Sequence, residues 1–452
     1  MGETGAYRTE SVQGWRELFR FRESPLALLQ GLTRRGVDVL HMAAGKRNIY
    51  IVNHPILIRD VLVTHDWNFI KGPGLRASRP LFGHGLLTSE GELHRRQRRL
   101  VQPAFNNARL AEYAGAMVEL GETTLAGWRD QQELAIDQEM MRLTLQIVGR
   151  TLFTADVLHE AKEIGDAVSD AVGQFRQLNS PLIQAIGLLR GWVNGRAVRS
   201  RRRFEGLLSR MIADHREHPD RYNDMLSLLM ASDDETGTGY MSDELLLDEA
   251  LTIFLAGHET TANALTWTWY LLAQHPEVEE KLHEEIDRVL QGRQPTLEDA
   301  GKLCYTGEIF RETLRLYPPA WIIGREAVTG YRLGAMEVAT GSTLLMSPYA
   351  MHRDPRFWND PERFAPERWE DGQAGDRPKF AYFPFGAGTR VCIGEHFAAL
   401  EGVLLMAVIA QQWRLRLMAG QEIAPQPQIT LRPRGSIHMR LEQRAREDMP
   451  AL

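Results

Sequence analysis

Apolar residues recur mainly at helical spacing along this chain, and strand-like alternation is confined to short segments. The pattern predicts helices at 25–35, 55–63, 91–105, 110–128, 139–153, 157–176 and 243–274, and a further helix that Gly394 opens. It predicts a hairpin of strands 37–42 and 48–52, short strands within 331–345, and a last hairpin within 429–444. The expected fold class is therefore mainly α with a small β region.

The longest predicted helix, 243–274, is apolar on nearly all sides, which predicts burial. Ser242 is its expected N-cap. A transmembrane role is not expected, because Asp248, His258 and Glu259 interrupt the apolar run. The hexapeptide 256–261, AGHETT, places polar groups inside an apolar helix, where each costs free energy unless it is used.

Composition sets the broad class. The 452 residues are 43% hydrophobic and 25% charged, with no change of composition that would mark a domain boundary, so we expect one domain, 1–452. We also expect a monomer. Two cysteines cannot form a disulfide framework, which favours a reducing, cytoplasmic compartment. The net charge of -6 argues against a nucleic-acid partner. The N-terminal segment lacks the apolar run of a signal peptide or membrane anchor.

The stretch 381–401, AYFPFGAGTRVCIGEHFAALE, concentrates the candidate chemistry around Cys392. Gly386 and Gly388 permit positive φ angles or the close approach of a flat ligand. Arg390 places a cation two residues before the thiol, and Gly394 opens the next helix. A thiol near a cation and a helix N-terminus is readily deprotonated, so Cys392 is the first candidate for chemistry.

Two other interpretations of Cys392 remain open at this point. It can be a buried, inert cysteine in a glycine-rich turn. It can also bind zinc together with His396, although Cys304 is the only other cysteine and the chain has no C-x-x-C pair.

The order of residues in this stretch resembles the F-x-x-G-x-R-x-C-x-G motif of haem-thiolate monooxygenases, the cytochrome P450 family. Four motifs in the expected order, from residue 91 to the end, carry the resemblance. It implies haem b between the long helix and the helix after Cys392, with Cys392 as the axial thiolate on iron. The implied cofactor-binding residues of the stretch are Phe385, Gly386, Arg390, Cys392 and Gly394.

The hexapeptide is similar to the family's oxygen-binding A-G-x-[DE]-T-T element. The resemblance implies that Ala256 and Gly257 leave room over the haem for dioxygen and substrate. It implies that Thr260 donates a hydrogen bond to the bound oxygen, and that Glu259 helps to relay protons from solvent. The alternative is that Thr260 bonds back to the carbonyl four residues earlier.

Basic residues are implied as donors to the haem carboxylates, which need charge-assisted hydrogen bonds in a partly dry pocket. His94 and Arg98 share a face of the helix 91–105 because they are four apart. Arg325 matches another such position of the family. The other basic residues of this helix are expected to form a solvated face: Arg95, Arg96 and Arg99.

Glu312 and Arg315 form an i,i+3 pair, which on a surface is worth only ~0.3–0.5 kcal/mol. In the family this pair is buried and completed by a downstream arginine. Arg368 is the candidate and Arg363 its rival. We expect a structural role behind the haem.

The substrate side is also implied by the resemblance. Segment 71–91 would cover one side of the cavity, and Trp321, Ile322 and Ile323 would face it. Segment 180–193 is interpreted as a flexible lid followed by a basic, solvated helix; contact of this region with a membrane surface or nucleic acid is the alternative.

The implied reaction inserts one atom of dioxygen into an apolar small molecule, such as a fatty acid, terpenoid or steroid. No GxGxxG or flavin-binding segment occurs, so electrons are expected from a separate ferredoxin or flavodoxin with its reductase. A peroxygenase of the same fold and a haem-based gas sensor are the alternatives. The intact pair of Glu259 and Thr260 argues against the peroxygenase.

Overall fold

The computed structural model describes residues 7–45, 47–154, 201–202, 205–206, 208–231, 241–370 and 377–444. The helix predicted at 157–176 and the lid at 180–193 lie outside these residues. The α-helices include α1 Trp15–Glu23, α2 Pro25–Arg35, α3 Pro55–Arg59, α4 Pro73–Arg76, α5 Arg79–Phe82, α6 Gly91–Val101, α7 Asn107–Leu125, α8 Ile136–Leu152, α9 Met225–Ala231, α10 Asp243–Gln274, α11 Pro276–Leu290, α12 Leu297–Ala300, α13 Cys304–Leu316, α14 Pro348–Met351 and α15 Glu395–Gln412.

The strands are short. They are β1 Thr9–Gln13, β2 Val39–Ala44, β3 Arg47–Val52, β4 Phe69–Lys71, β5 Glu133–Ala135, β6 Ile323–Ala327, β7 Tyr331–Leu333, β8 Met336–Val338, β9 Thr343–Met346, β10 Trp413–Leu417, β11 Pro425–Pro427, β12 Leu431–Pro433 and β13 His438–Gln443. In the described part of the chain they form a six-stranded sheet in the order β1-β2-β3-β9-β6-β4, a three-stranded sheet β10-β13-β5, and the pairs β11-β12 and β7-β8. Helices dominate, which confirms the expected fold class.

The chain divides into two compact units. Unit 1 comprises Met1–Ala77 and Glu312–Cys392, and unit 2 comprises Ser78–Arg311 and Ile393–Leu452. The expectation of a single domain stays a prediction.

Unit 1 is built around the six-stranded sheet. The predicted hairpin is confirmed, with β2 antiparallel to β3 and Val39 opposite Val52. Helix α3 and the π-helical turn Asp60–Thr64 that continues it pack their buried residues Ile58 and Leu62 against β-strand residues such as Leu344. Burial of these aliphatic side chains, each worth about 1.5–3 kcal/mol, fixes the helix on the sheet.

Unit 2 is organised on α10, whose bounds are those predicted from the sequence. The Ser242 hydroxyl accepts a hydrogen bond from the Leu245 amide at 3.3 Å and so caps the helix. The helix packs along α8 and also contacts α15, α11 and β12. Nowhere in the described ranges does a helix combine the length and apolar character of a membrane span.

The last predicted hairpin, within 429–444, is wrong. Its two halves form strands, but β12 pairs with β11 and β13 pairs with β10 and β5. Alternation identifies a strand, whereas the partner depends on segments elsewhere in the chain.

Candidate active site

Unit 1 presents Cys392 at the end of a tight loop. The Cys392 amide donates to the Phe385 carbonyl at 2.9 Å, and the Gly386 amide donates to the Phe383 carbonyl at 3.0 Å. Gly386 and Gly388 have φ angles of 73° and 71°, in the left-handed region that favours glycine. Cys392 is exposed and is not in a disulfide. Its exposure contradicts the interpretation as a buried, inert cysteine.

The loop is held by the segment that follows α3. A Cβ at Gly388 would lie 1.9 Å from the Leu62 carbonyl oxygen, so only glycine fits there. The Thr389 hydroxyl donates to the Asp66 carboxylate at 2.7 Å. The next residue, Trp67, is 74% exposed, so a large apolar side chain stands at the surface beside the loop.

His352 supports the start of the same loop through its ring. Its Nε2 accepts a hydrogen bond from the Phe383 amide at 3.0 Å. Burial, together with the cations of Arg315 and Arg353, holds the pKa of His352 well below its ordinary value. The ring is therefore neutral and can act as an acceptor.

Glu312 is the centre of a buried ionic network in unit 1. Arg315 donates to both Glu312 oxygens at 2.9 Å, and both side chains are fully buried. Arg368 donates a hydrogen bond to the Glu312 carboxylate at 2.8 Å, and the Trp369 indole donates another to it at 3.0 Å. Arg363 contributes only its carbonyl oxygen, which accepts from Arg315 at 2.9 Å. The buried pair completed by Arg368 is thus confirmed, and the rival Arg363 is not the partner.

Strand β6 carries Arg325 close to the Cys392 loop. Arg325 is buried, and its guanidinium donates to the Gly324 carbonyl at 3.0 Å. Ile323 on the same strand lies 3.6 Å from the position of a Cβ on Gly386. Trp321 is buried, whereas Ile322 and Ile323 are half-buried. The structure therefore brings the basic strand residue and the thiol loop together within unit 1.

Helix α6 of unit 2 separates its basic residues by face. His94 is buried and Arg98 is half-buried, as their shared face requires. The residues predicted to be solvated, here called the α6 arginines, are Arg95, Arg96 and Arg99. Arg95 and Arg99 are exposed and Arg96 is half-buried, and Arg95 pairs with Glu92 of the same helix.

One face of α10 is uncovered at its centre. Ala256 is exposed, although every other residue from Leu245 to Leu272, all of them described, is buried or half-buried. Thr260, four residues on and therefore on the same face, is half-buried. A small side chain thus marks an opening in an otherwise buried helix.

The hydroxyl and the glycine of this hexapeptide also have structural roles. The Thr260 hydroxyl donates to the Ala256 carbonyl at 2.8 Å, which is the alternative considered from the sequence. A Cβ at Gly257 would lie 3.0 Å from a methyl group of Val148 on α8. Gly257 therefore allows α10 and α8 to pack closely, and the open face depends on Ala256.

Glu259 is buried and paired in unit 2. Arg432 lies 2.8 Å from its carboxylate, and the Thr430 hydroxyl donates to the same oxygen at 2.5 Å. Asn263, one turn further along α10, donates to the Thr430 hydroxyl at 3.1 Å. The carboxylate beside Thr260 is thus fixed by residues at the start of β12.

A second acid, Glu401 on α15, is fully buried, and among the described residues neither carboxylate oxygen has a hydrogen-bond partner that meets normal geometry. Burial raises the pKa of Glu401 to about 8, and the neighbouring Thr261 hydroxyl offsets this only in part. Glu401 is therefore largely protonated at neutral pH.

These residues fit haem b. Cys392 offers an exposed soft ligand for iron. Within unit 2, buried His94 and half-buried Arg98 carry the kind of charge-assisted donor that a haem carboxylate needs, and within unit 1 buried Arg325 does so. In the described part of the chain no three His, Cys, Asp or Glu side chains are grouped to hold a metal ion, so the zinc alternative gains no further ligand.

Comparison with known proteins decides the family. The model of the family described as Cytochrome P450 matches residues 16–439. The chain belongs to the cytochrome P450 family. This P450 is similar to "Cyclooctatin synthase" of Streptomyces melanosporofaciens, with 40% identity over 413 residues, 90% of this chain and 89% of that protein.

Two further Streptomyces relatives resemble this P450 over most of their length. "Cyclooctat-9-en-7-ol 5-monooxygenase" of S. melanosporofaciens is 37% identical over 404 residues, 88% of this chain and 86% of that protein. "Pentalenene oxygenase" of Streptomyces avermitilis is 35% identical over 404 residues, 89% of each chain. The expected family, cofactor and enzyme class are confirmed: the protein is a haem-thiolate monooxygenase that binds haem b and uses a substrate, dioxygen and a redox partner.

Sequence reasoning about this P450 missed the partners of its buried acids. Thr430 and Arg432 are two apart in a strand-like segment and so share a side, but nothing local connects them with Glu259. Glu401 did leave a signal, because it is a lone acid within an apolar helical run.

Proposed function

We propose that this P450 oxygenates a cyclic terpenoid, either a hydrocarbon or an alcohol derived from it. The observation that carries this proposal is the similarity to three relatives, at 35–40% identity over about nine-tenths of the chain, whose names specify pentalenene, cyclooctat-9-en-7-ol and cyclooctatin. "Carotene epsilon-monooxygenase" of Arabidopsis thaliana, 29% identical over 443 residues, also names a terpenoid. Among the fatty acid, terpenoid and steroid classes, these names favour the terpenoid.

Within this proposal Cys392 is the axial thiolate, and His94, Arg98 and Arg325 donate to the haem carboxylates. Phe385, Gly386, Arg390 and Gly394 complete the cofactor contacts. When bound, the thiolate-ligated haem supplies the reductive activation of dioxygen and the transfer of one oxygen atom to a substrate C–H bond. Two electrons and two protons are consumed, and the second oxygen atom leaves as water.

The open face of α10 would receive dioxygen and substrate. Ala256 keeps this face small, and the Thr260 hydroxyl is held there by its bond to the Ala256 carbonyl. Rotation of that hydroxyl lets it donate to dioxygen instead. Glu259 would pass protons towards Thr260 when its pair with Arg432 opens, because an acid that is paired cannot accept and release a proton freely.

Electrons would come from a ferredoxin or flavodoxin with its reductase. The α6 arginines, of which Arg95 and Arg99 are exposed and Arg96 is half-buried, support docking of an acidic carrier by charge attraction. Exposed Trp67 beside the Cys392 loop supports an apolar anchor, since aromatic residues commonly carry interface binding energy. A cytoplasmic monomer completes the proposal, and two cysteines outside any disulfide agree with a reducing compartment.

The decisive experiment is a ligand screen on the purified haem protein. Cyclic terpenes, terpene alcohols, steroids and fatty acids are each titrated while the Soret band is followed. Ligands that shift it are then incubated with oxygen, ferredoxin, reductase and NADPH, and products are analysed by mass spectrometry. We expect a shift and an oxygenated product with a cyclic terpenoid. Turnover of fatty acids or steroids alone would refute the substrate class.

The same experiment separates the alternatives. A peroxygenase would form product with hydrogen peroxide and no electron donor. A gas sensor would show no substrate-dependent oxygen consumption. Product formation that requires both electrons and dioxygen is the result expected for a monooxygenase.

A further inference from the structure

Two adjacent acids of α10 hold a turn of unit 2 through its backbone. The Asp248 carboxylate accepts from the His84 amide at 2.7 Å, and the Glu249 carboxylate accepts from the Leu86 amide at 2.9 Å. Both acids are buried. The turn 83–88 is thus tied to α10 by hydrogen bonds to two carboxyl groups.

The contact is too close for side chains. A Cβ at Gly83 would lie 2.0 Å from an Asp248 oxygen, and one at Gly85 would lie 2.2 Å from the Thr252 hydroxyl. Only glycine allows the backbone of the turn to reach the helix in this way.

The turn covers the part of α10 that lies next to its open face. Gly85 covers Thr252, and Ala256 follows four residues later on the same face and is exposed. Gly83 and His84 of the turn also line a surface depression of about 420 Å³, together with Arg79 and Arg201. The turn therefore borders both the open face and a solvent-filled depression at the surface of unit 2.

We propose that Asp248 and Glu249 are positioning residues that latch the turn 83–88 beside the open face of α10, and that release of this turn admits substrate to that face. The admission of substrate rests on the proposed function, but the latch itself does not.

The closed latch leaves buried polar atoms without hydrogen bonds, which lowers the free energy that is needed to release the turn. One Glu249 oxygen and the Thr252 hydroxyl are buried without a hydrogen-bond partner in the described part of the chain. Each such group loses its hydration in the closed state and regains it when the turn lifts. The hydrogen bonds that open are thus partly replaced by bonds to water.

Release also depends on the ionisation of Glu249. Burial and, to a smaller extent, the neighbouring Asp248 charge raise the pKa of Glu249 to about 8, although the hydrogen bond from the Leu86 amide opposes the rise. In the open state the carboxyl meets water and regains its ordinary pKa. Opening therefore becomes more favourable as pH rises from about 4.5 towards 8, and levels off above that range.

Other charged or titratable groups lie near Asp248 and Glu249, so the experiment needs a control variant for their titration. Arg201 binds Asp248 at 2.5 Å and is itself paired with Glu205. Arg79 donates to the Thr88 carbonyl at the end of the turn. Glu244, one turn earlier on α10, lines the same surface depression, and His84 is the titratable group on the turn itself.

Hydrogen exchange of the whole haem protein tests the latch without reference to activity. The exchange of peptides that cover residues 83–88 is measured by mass spectrometry at pH 6.5, 7.5, 8.5 and 9.5, and corrected for the intrinsic pH dependence. For the wild type we expect the opening constant to rise about eightfold from pH 6.5 to 7.5 and to change little above pH 8.5. Glu249→Gln, which keeps an acceptor for Leu86 but cannot ionise, should abolish the rise.

Further variants separate the causes. Glu249→Ala should increase exchange of the turn at every pH, because the acceptor is lost, and His84→Asn should retain the wild-type pH profile. An unchanged rise in Glu249→Gln, or unchanged protection in Glu249→Ala, would overturn the latch.

Stopped-flow binding of the terpenoid that shifts the Soret band tests admission of substrate. The association rate of the wild type should rise several-fold from pH 6.5 to 7.5 and stay constant in Glu249→Gln. Equal pH dependence in both proteins would overturn the gating of substrate entry. If no terpenoid binds the wild type, the proposed function fails, while the exchange result still decides the latch.

Discussion

Glu312→Gln should destabilise this P450 strongly, although it changes one carboxyl oxygen to an amide. The Glu312 carboxylate accepts five hydrogen bonds, two from Arg315 and one each from Arg368, the Trp369 indole and the Ala365 amide. Glutamine retains one acceptor oxygen but turns an NH₂ group towards donors. Two guanidinium groups then lose their counter-charge, and Arg315 is fully buried.

The magnitude follows from burial. Removing one partner of a buried ion pair costs about 3–5 kcal/mol, because the remaining charge stays desolvated. The matched control is Glu17→Gln, since Glu17 and Arg20 have the same residue types and the same i,i+3 spacing. That pair is held at 3.4 Å with Arg20 two-thirds exposed, so its loss should cost about 0.3–0.5 kcal/mol.

Urea unfolding at pH 7, followed by far-UV circular dichroism, measures both changes. The loss of free energy of unfolding should be about ten times larger for Glu312→Gln than for Glu17→Gln. If Glu312→Gln lost less than about 1 kcal/mol, as Glu17→Gln should, then burial would not determine the strength of this pair and the reasoning would be refuted.

Four other variants test the site and its surroundings. Cys392→Ser should fold but lose the strongly red-shifted Soret band of the reduced carbon monoxide complex, and retention of that band would exclude Cys392 as ligand. Thr260→Ala should keep haem and substrate binding, lose on the order of 1 kcal/mol of stability, and divert electrons to hydrogen peroxide; coupling equal to wild type, measured as product per NADPH, would leave Thr260 as a packing residue. Charge reversal of the α6 arginines to glutamate should slow association of an acidic ferredoxin and weaken its salt dependence in stopped-flow reduction, and a parallel loss of substrate affinity would contradict a docking role. Because burial raises the pKa of Glu401 to about 8, the wild type should lose up to about 1.4 kcal/mol per pH unit as pH rises from about 4.5 to 8, and Glu401→Gln should flatten this loss in urea unfolding; an unchanged slope would assign it elsewhere.

Helices and strands were predicted well where residues close in sequence determine both of their ends. The long helix has its predicted bounds because the Ser242 cap and the apolar run are properties of the local sequence. The hairpin β2–β3 was found within two residues at each end for the same reason. The last hairpin failed because β12 and β13 take partners that are separate from one another.

Partners of buried charges could not be predicted from the sequence, because they lie far apart along the chain. Glu259 and Arg432 are separated by 173 residues, and no local pattern favours that pairing over others. Arg368 was named as the partner of Glu312 only because the chain resembles a family with such a pair. Glu249 carries no local mark of its contact with the turn 83–88, which lies 163 residues earlier.

The buried acids on and around α10 differ from one another in whether a cationic side chain is paired with them. Glu259 has Arg432 at 2.8 Å. Glu249 and Glu401 have no such cation among the described residues, and burial raises the pKa of each to about 8. A change from pH 6.5 to 8 therefore acts on the latched turn and on the packing of α15 before it reports on proton delivery beside Thr260. A pH–rate profile of substrate oxidation in this range will combine these effects. The chemical role of Thr260 is best measured at a fixed pH below 7, where Glu249 and Glu401 are both protonated and the turn is closed in variant and wild type alike.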